Sequence, residues 1–182
     1  MFLTSEARYN QWVREHYRFL MRSAWALTGS RAVAEDVVQD CYTNAWKHRD
    51  QLRDPALVRP WLFQIMRRSL FRHLPPCTIS LEDSNEEQWG EAPGNGVDNR
   101  LDVVKALSRI APIHREVLVL HYFDDMPTAL IAEALEIAPG TVLSRLSRAR
   151  EALKDALTAP RQKSQAAAMQ SPGNNVTSIR KS

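Results

Sequence analysis

The sequence predicts an all-α protein in which an acidic flexible linker joins two small helical domains, the second a four-helix domain with a helix-turn-helix. Apolar residues recur every three or four positions along most of the chain, and no alternating strand pattern persists. Residues 75–99 are rich in Pro, Gly, Asn, Ser and acids, which is typical of an irregular linker. The net charge follows the same division, at +5 over residues 1–75, −5 over 76–100, −1 over 101–157 and +4 over 158–182. Because charge sign sets which surfaces attract each other, this segregation points to charged partners.

The composition indicates a soluble protein of one larger or two small domains. Of the 182 residues, 44% are hydrophobic and 25% are charged. No run approaches the roughly 20 apolar residues that a membrane span needs, and the first residues lack the layout of a signal peptide. We therefore expect a cytoplasmic protein without direct membrane insertion. Its two cysteines, Cys41 and Cys77, are too few for a disulfide framework and are expected to be free thiols.

Two long helices are predicted at the start of the chain. The first spans about 6–27, and its inward-facing side chains are expected to be Tyr9, Trp12 or Val13, Tyr17, Leu20 and Ala24. Gly29 ends this helix, and Ser30 is the expected N-cap of the second helix, about 31–48. The buried stripe of the second helix is expected to be Ala34, Val37, Val38, Cys41 and Ala45.

A third helix and the linker complete the first half. Pro60 suits the first position of a helix over about 60–74, because its missing N–H needs no partner there. Pro75 and Pro76 then stop the helix. In the linker that follows, Trp89 is the only large side chain that could anchor the segment.

The clearest motif lies in the second domain. The predicted helices of this domain are 100–110, 113–123, 127–135 and 139–156. The stretch MPTALIAEALEIAPGTVLSRLSRARE (126–151) has the layout of a helix-turn-helix, in which small Ala132 allows a close crossing and Pro139 opens the second helix. The buried stripe of that helix is expected to be Val142, Leu146, Ala149 and Leu153. Glu136 stands where such turns usually have Gly, and a non-glycine residue there costs about 1 kcal/mol of stability if its backbone is left-handed. Ala138 is a poor N-cap for the second helix.

The opposite face of the last helix is polar and basic. It combines Thr141, Ser144, Arg145 and Arg148. A helix fits the major groove of DNA, where Arg pairs with guanine edges and hydroxyls reach bases or phosphates. Arg150 and Lys154 add charge for the phosphate backbone. The alternative is a solvated helix in an ordinary bundle, but the preceding helix and tight turn favour DNA binding.

Several ordered stretches together resemble the extracytoplasmic-function (ECF) sigma factors, small transcription-initiation subunits of bacterial RNA polymerase. AEDVVQDCYTNAW (34–46) resembles the helix of that family that binds core polymerase. RPWLFQIMRRSLFRHL (59–74) resembles the helix that meets the −10 promoter element. ALSRIAPIHREVLVLHYFDDM (106–126) and GTVLSRLSRAREAL (140–153) resemble the domain that binds the −35 element. The resemblance covers about residues 6–157.

This resemblance implies four segments. A sigma region 2-like domain over 1–75 would bind core polymerase and −10 DNA, and a region 4-like helix-turn-helix domain over 100–157 would bind −35 DNA. The acidic linker over 76–99 would thread the polymerase channel later used by RNA, although a plain tether is the alternative. The basic tail over 158–182 is expected to be disordered.

The resemblance also implies binding residues. Contacts to the clamp of the polymerase's largest subunit would come from Asp36, Gln39, Asp40 and Trp46, unless Trp46 belongs to the core. A flipped base would be captured near 49–60, and the separated strand would be followed by Arg59, Gln64, Arg67, Arg68 and Arg72. Contacts to the −35 element would come from Thr141, Ser144, Arg145, Arg148 and Arg150. Trp61 is expected to anchor the core rather than stack on a base. An anti-sigma protein that covers both DNA-binding domains is the expected regulator.

The chain departs from the family pattern at a few positions. Arg68 stands where the family often has Asn, Arg72 where it has an acid, and Leu143 where Lys is common. Ala129 and Leu130 replace a polar-aromatic and acidic pair. The two leucines suggest an additional apolar contact with a partner protein.

No sequence motif indicates catalysis. There is no Gly-rich phosphate loop, nucleophile elbow or His-Glu metal motif. We therefore expect no enzyme activity, no small-molecule substrate, no cofactor and no metal site. Two other functions stay open: a stand-alone helix-turn-helix regulator, and a sigma-like adaptor that binds an anti-sigma partner without transcribing.

Overall fold

The computed structural model describes residues 4–73 and 96–158, and within these ranges every regular element is helical. The elements are α1 (Ser5–Thr28), α2 (Arg31–His48), 3₁₀ turns at Arg49–Gln51 and Pro55–Leu57, α3 (Val58–His73), α4 (Gly96–Ser108), α5 (Pro112–Leu118), a π-helical turn (Val119–Phe123), α6 (Thr128–Leu135) and α7 (Pro139–Thr158). The all-α prediction is confirmed. Most of the predicted linker and tail, with Pro75, Pro76, Cys77 and Trp89, lies outside the described residues. None of the helices described is long and apolar enough to span a membrane.

The junction of α1 and α2 forms as the sequence predicts. Gly29 has a φ of 71°, a left-handed conformation that glycine adopts without strain, and its N–H donates to the Trp25 carbonyl. The Ser30 hydroxyl accepts a hydrogen bond from the Val33 N–H and so caps α2. All five residues of the predicted α2 stripe are buried. Local turn chemistry therefore fixes the angle between the first two helices.

The third helix starts earlier than predicted. α3 begins at Val58, so Pro60 is its third residue and not its first. Its missing N–H still falls in the first turn, where backbone donors have no partner within the helix. The Asp54 carboxylate accepts from the Ala56 N–H just upstream, which starts the preceding 3₁₀ turn and leads the chain into α3.

Helix α1 is buried on two sides, and the sequence predicts only one. Tyr17 was expected to face inward, but 47% of it is exposed, so that prediction is wrong. Phe19 and Leu27, outside the predicted stripe, are buried. This wider burial results from packing against both halves of the chain: α1 contacts α2 and α3, and it also contacts α4, α5 and the π-helical turn. The two halves of the chain consequently share one apolar core.

The second half contains the predicted helix-turn-helix. α6 ends at Leu135, its C-cap Glu136 has a left-handed φ of 56°, and the Ile137 N–H donates to the Ala132 carbonyl. α7 begins at Pro139, and Val142, Leu146 and Ala149 are buried while Leu153 is partly buried. One predicted helix, 113–123, is divided in the structure: α5 passes into the π-helical turn before residue 124.

The strained turn makes a direct stability prediction. Glu136→Gly should raise the free energy of unfolding by about 1 kcal/mol, because a side chain resists the left-handed backbone. The control is Glu133→Gly, which removes a nearby carboxylate at a right-handed position inside α6. Because glycine disfavours a helix interior, this variant should lower the free energy of unfolding by about 1 kcal/mol. Urea titration followed by circular dichroism measures both. Equal losses in the two variants would contradict a left-handed Glu136.

Candidate nucleic-acid interfaces

The first candidate surface is the outer face of α7. Ser144, Arg148 and Arg150 are exposed, and Thr141 and Arg145 are partly buried at its edge. Within the described ranges, Arg145 and Arg148 make no hydrogen bond or ion pair, so both guanidinium groups are available to a ligand. Four of the five predicted −35 residues, Thr141, Ser144, Arg145 and Arg148, therefore lie on or beside one accessible helix face, and Arg150 projects from a different side of α7.

Arg150 differs from Arg145 and Arg148, the other two arginines of α7. Its Nε donates to the Tyr122 hydroxyl at 2.7 Å, and the guanidinium lies 5.7 Å from the centre of the Tyr122 ring. A side chain held in this way offers its remaining N–H groups in a fixed direction. The position suits a phosphate contact at the edge of a groove. Sequence reasoning did not find Tyr122, because the contact joins positions 28 residues apart.

The second candidate surface is on α3, and most of it faces the second half of the chain. Two of the predicted −10 residues donate to backbone carbonyls: Arg59 to that of Asp124 at 2.6 Å, and Gln64 to that of Glu133 at 2.7 Å. Two others meet carboxylates: Arg67 donates to Glu116 at 2.7 Å, and Arg68 lies 3.7 Å from Glu136. Arg72 instead lies 3.8 Å from the Asp40 carboxylate on α2. The structure brings the five residues onto one helix, with four of them engaged by the second half.

A cavity of about 300 Å³ lies beside this surface, at the turn between α2 and α3. It is lined by Asn44, His48, Gln51, Trp61, Ile65, Arg68 and Arg72. This is the turn where the resemblance implies capture of a flipped base. Trp61 packs edge-on against Trp12 with ring centres 5.6 Å apart, in line with an anchoring role. Sequence reasoning missed the polar residues that α2 contributes, Asn44 and His48.

A third surface is formed by the outer face of α2. Asp36 and Gln39 are exposed, and Trp46 is 38% exposed, so Trp46 is not a core residue. Tyr9 packs edge-on against Trp46 at 4.9 Å, and the Arg49 guanidinium lies 4.0 Å from its ring centre. These contacts hold the indole in one orientation at the surface.

A groove of about 550 Å³ runs between α1 and α2 beside Trp46. Tyr17, whose exposure the sequence did not predict, is one of its lining residues. Asp40, predicted to act with Asp36, is directed toward α3, where His73 Nε2 lies 3.0 Å from its carboxylate. The face therefore combines apolar and polar groups, and Asp40 has the least access to a partner.

Asp124 is a buried carboxyl group at the contact between the two halves. It accepts from the Ser23 hydroxyl at 2.7 Å, and Arg22 lies 3.4 Å away. Burial raises the pKa of Asp124 from 3.8 to about 6, although the Ser23 hydrogen bond and the charges of Arg22 and Arg59 oppose the shift. Between about pH 4 and 6 the protonated form of Asp124 is therefore more populated in the folded state than in the unfolded chain.

The sign of this shift gives a pH prediction. Because the folded pKa of Asp124 exceeds the unfolded one, its contribution to stability is greatest below pH 4 and is lost as pH rises toward about 6. Asp124→Asn should therefore gain stability relative to the parent protein across that window. Urea unfolding at several pH values from 4 to 7 measures the difference, which amounts to about 1–3 kcal/mol at 1.4 kcal/mol per pKa unit. A constant difference across the window would contradict the raised pKa.

Comparison with known proteins identifies both halves. Residues 12–74 match the Sigma-70 region 2 family and residues 100–153 match the Sigma-70, region 4 family. The chain is 37% identical over 149 residues to the ECF RNA polymerase sigma factor SigL of Mycobacterium tuberculosis, covering 77% of this chain and 83% of that protein. It is 27% identical over 158 residues to SigM of Bacillus subtilis, covering 84% and 94% of the two chains.

Solved structures show the same fold. The sigma factor RpoE, in complex with the anti-sigma factor NepR from Bartonella quintana, matches with a TM-score of 0.65 and 23% identity, over 85% of this chain and 99% of that one. CnrH, in complex with the cytosolic domain of CnrY, matches with a TM-score of 0.62 and 24% identity, over 82% and 86% of the two chains.

Proposed function

The chain belongs to the ECF sigma factors of bacterial RNA polymerase, and we propose that it directs the polymerase core to promoters through the three surfaces described above. The observation that carries this proposal is the outer face of α7, the second helix of a helix-turn-helix, whose Arg145 and Arg148 have no partner within the described part of the chain, in a protein that matches both sigma regions. The work of such a protein is to position and melt DNA for another enzyme. We propose that it has no catalytic activity of its own and acts in the cytoplasm, where the polymerase works.

We propose that α7 reads the −35 element in the major groove. Arg145 and Arg148 suit base edges, because no residue that the structure describes engages their guanidinium groups and each can donate two hydrogen bonds to guanine. Thr141 and Ser144 near the start of the helix suit bases or phosphates, and Arg150, held by Tyr122, suits a phosphate. Together these five residues form the proposed −35 site.

The proposed −10 site is the ridge of polar side chains along α3, together with the cavity beside it. Arg59, Gln64, Arg67, Arg68 and Arg72 would follow the phosphates of the separated strand. A base turned out of the duplex would enter the cavity, whose polar lining can replace some of the hydrogen bonds lost on flipping. The ridge and cavity share Arg68 and Arg72, so strand and base would be held by neighbouring groups.

The outer face of α2 is the proposed contact with core polymerase. Asp36 and Gln39 supply polar groups, and Trp46 supplies a large, oriented aromatic surface of the kind that dominates protein interfaces. We assign Asp40 a secondary role at this site, since α3 already engages its carboxylate. The partner surface is the clamp of the polymerase's largest subunit.

An anti-sigma protein is the proposed regulator. The structural relatives RpoE and CnrH were solved with the anti-sigma factor NepR and the cytosolic domain of CnrY. Leu143 on α7 is 59% exposed beside the proposed DNA-contacting residues. An apolar side chain in that position suits a protein partner that covers the −35 site.

Co-elution with core RNA polymerase tests this function. The purified chain and the core enzyme are mixed at physiological salt and separated by size-exclusion chromatography. A sigma factor elutes with the core. A chain that binds duplex DNA alone but never elutes with the core is a stand-alone regulator, and the core-binding roles of Asp36, Gln39 and Trp46 are then wrong.

A further inference from the structure

The orientation of the Trp46 ring depends on two neighbouring side chains. Tyr9 packs edge-on against the indole with ring centres 4.9 Å apart, and its hydroxyl donates to the Tyr42 carbonyl at 3.0 Å, which fixes Tyr9 on its own. The Arg49 guanidinium lies 4.0 Å from the centre of the indole. Because arginine is a long side chain with many rotamers, its place over the ring requires anchors of its own.

Arg49 has two such anchors. Its Nη1 donates to the Trp46 carbonyl at 2.6 Å, in the last turn of α2, where helix carbonyls lack partners further along the helix. Its Nε donates to the Ser5 hydroxyl at 2.9 Å, and this contact joins positions 44 residues apart. Since the guanidinium group is planar, hydrogen bonds from Nε and Nη1 to two different acceptors fix the direction of its plane. With the Trp46 carbonyl alone, the plane could turn about the single remaining bond.

The Ser5 hydroxyl is the point where this contact joins α1. It accepts from Arg49 and donates to the Asp50 carboxylate at 2.8 Å, so it serves as both acceptor and donor. Arg8 lies 3.7 Å from the same carboxylate, and its guanidinium lies 5.5 Å from the ring centre of buried Trp12. The first turn of α1 therefore holds both residues that follow α2.

The start of α1 does not require the Ser5 hydroxyl. Thr4 is the N-cap of this helix, and its hydroxyl accepts from the Ala7 N–H at 3.2 Å. Ser5 is the first residue of the helix and is partly buried, with its hydroxyl directed to the turn after α2. Two adjacent hydroxyl groups thus have separate tasks, one within the helix and one between helices.

We propose that Ser5 is a positioning residue for Trp46 on the core-docking face. Its hydroxyl orients the Arg49 guanidinium, which holds the indole in the arrangement that meets core polymerase. A side chain that is ordered before docking loses less conformational entropy when the complex forms. This inference rests on the proposed core-binding role of Trp46.

The test compares the two adjacent hydroxyl groups. Ser5→Ala removes the contact with Arg49 and leaves the cap of α1 in place, whereas Thr4→Ala removes the cap and leaves that contact in place. Ser5→Thr keeps the hydroxyl and should restore the parent behaviour. Affinity for immobilised core polymerase is measured for each variant. We expect Ser5→Ala to bind roughly three- to tenfold more weakly, the effect of ordering one further side chain on binding, and the other two to bind like the parent protein.

A double-mutant cycle with Trp46→Ala shows whether Ser5 acts through the indole. If it does, Ser5→Ala causes no further loss of affinity for core polymerase when Trp46 is already truncated. A loss of the same size in both backgrounds would mean that Ser5 acts by another route, and the proposal would be overturned.

A measurement on the free chain keeps this proposal apart from the core-binding role of Trp46. The chain is labelled with fluorotryptophan, and the Trp46 fluorine resonance is assigned by its loss in Trp46→Phe. Because this fluorine senses the adjacent guanidinium charge, Ser5→Ala should shift the resonance, while Thr4→Ala and Ser5→Thr should not. An unshifted resonance in Ser5→Ala overturns the positioning role. A shifted resonance together with normal core binding by Trp46→Ala supports the contact with Ser5 and contradicts the core-binding role of Trp46.

Discussion

Arg145→Ala and Arg148→Ala are each expected to weaken binding of polymerase holoenzyme to the −35 element by about 1–3 kcal/mol if the lost contact is to a base. Neither side chain has a hydrogen-bond or ion-pair partner among residues 4–73 and 96–158, so the loss reports the DNA contact and not an ion pair broken within those ranges. Arg150→Ala should act differently. It should weaken binding to all sequences similarly and reduce the slope of log affinity against log salt by about 1.

These three variants are measured by fluorescence anisotropy on a promoter duplex and on the same duplex with a scrambled −35 element. Arg18→Ala, which removes an exposed arginine of α1 and leaves α7 unchanged, is the matched control for net charge. A contact to a base reduces the preference for the promoter over the scrambled duplex, and a contact to phosphate leaves that preference intact. Parent-like affinity in both Arg145→Ala and Arg148→Ala would show that this face of α7 does not bind DNA.

Trp46→Ala is expected to cause the largest loss of affinity for core polymerase. Truncation of an oriented aromatic side chain at the centre of an interface typically costs about 2–4 kcal/mol, which is roughly 30-fold or more in the dissociation constant. Tyr9 and Arg49 hold the Trp46 ring at the surface in the free protein, so little further ordering is needed on docking.

Phe71→Ala is the matched control, since it removes an exposed aromatic ring from α3, outside the proposed docking face. Binding to immobilised core polymerase is measured for both variants, with circular dichroism to confirm that each is folded. A normal affinity for Trp46→Ala, together with a lower melting temperature, would mean that the indole stabilises α1 against α2 and does not meet the polymerase.

Periodicity predicted the helices that have one buried face. The α2 stripe and the buried residues of α7 followed directly from apolar spacing, and Gly29 with Ser30 marked the junction between α1 and α2. The left-handed turn at Glu136 could be suspected, because helix-turn-helix geometry restricts that position. In each case the determining interactions lie within a few residues along the chain.

The contact between the two halves could not be predicted in the same way. Ser23 and Asp124 are 101 residues apart, and Arg67 and Glu116 are 49 apart. Their side chains are common surface types, and nothing in local spacing shows that they are partners. This contact also explains the error at Tyr17: once the second half covers one side of α1, the buried region of the helix rotates away from that residue.

The contact between the two halves also occupies most of the proposed −10 site. Sequence and resemblance placed five residues on α3 for DNA, and the structure adds that four of them already hold acceptors of the second half. A sequence indicates which groups can bind phosphate, but it does not show which of them are occupied in the free protein. That occupancy depends on tertiary contacts between the two halves of the chain.

Transcription by purified core polymerase on fragmented genomic DNA, with and without the chain, tests the proposed sigma function when transcript starts are mapped. We expect transcripts that appear only with the chain and that share −35 and −10 elements upstream of their starts. Arg145→Ala should reduce those transcripts while core binding stays intact. If the chain binds the core and no chain-dependent transcript appears, it is an adaptor and not an initiation factor.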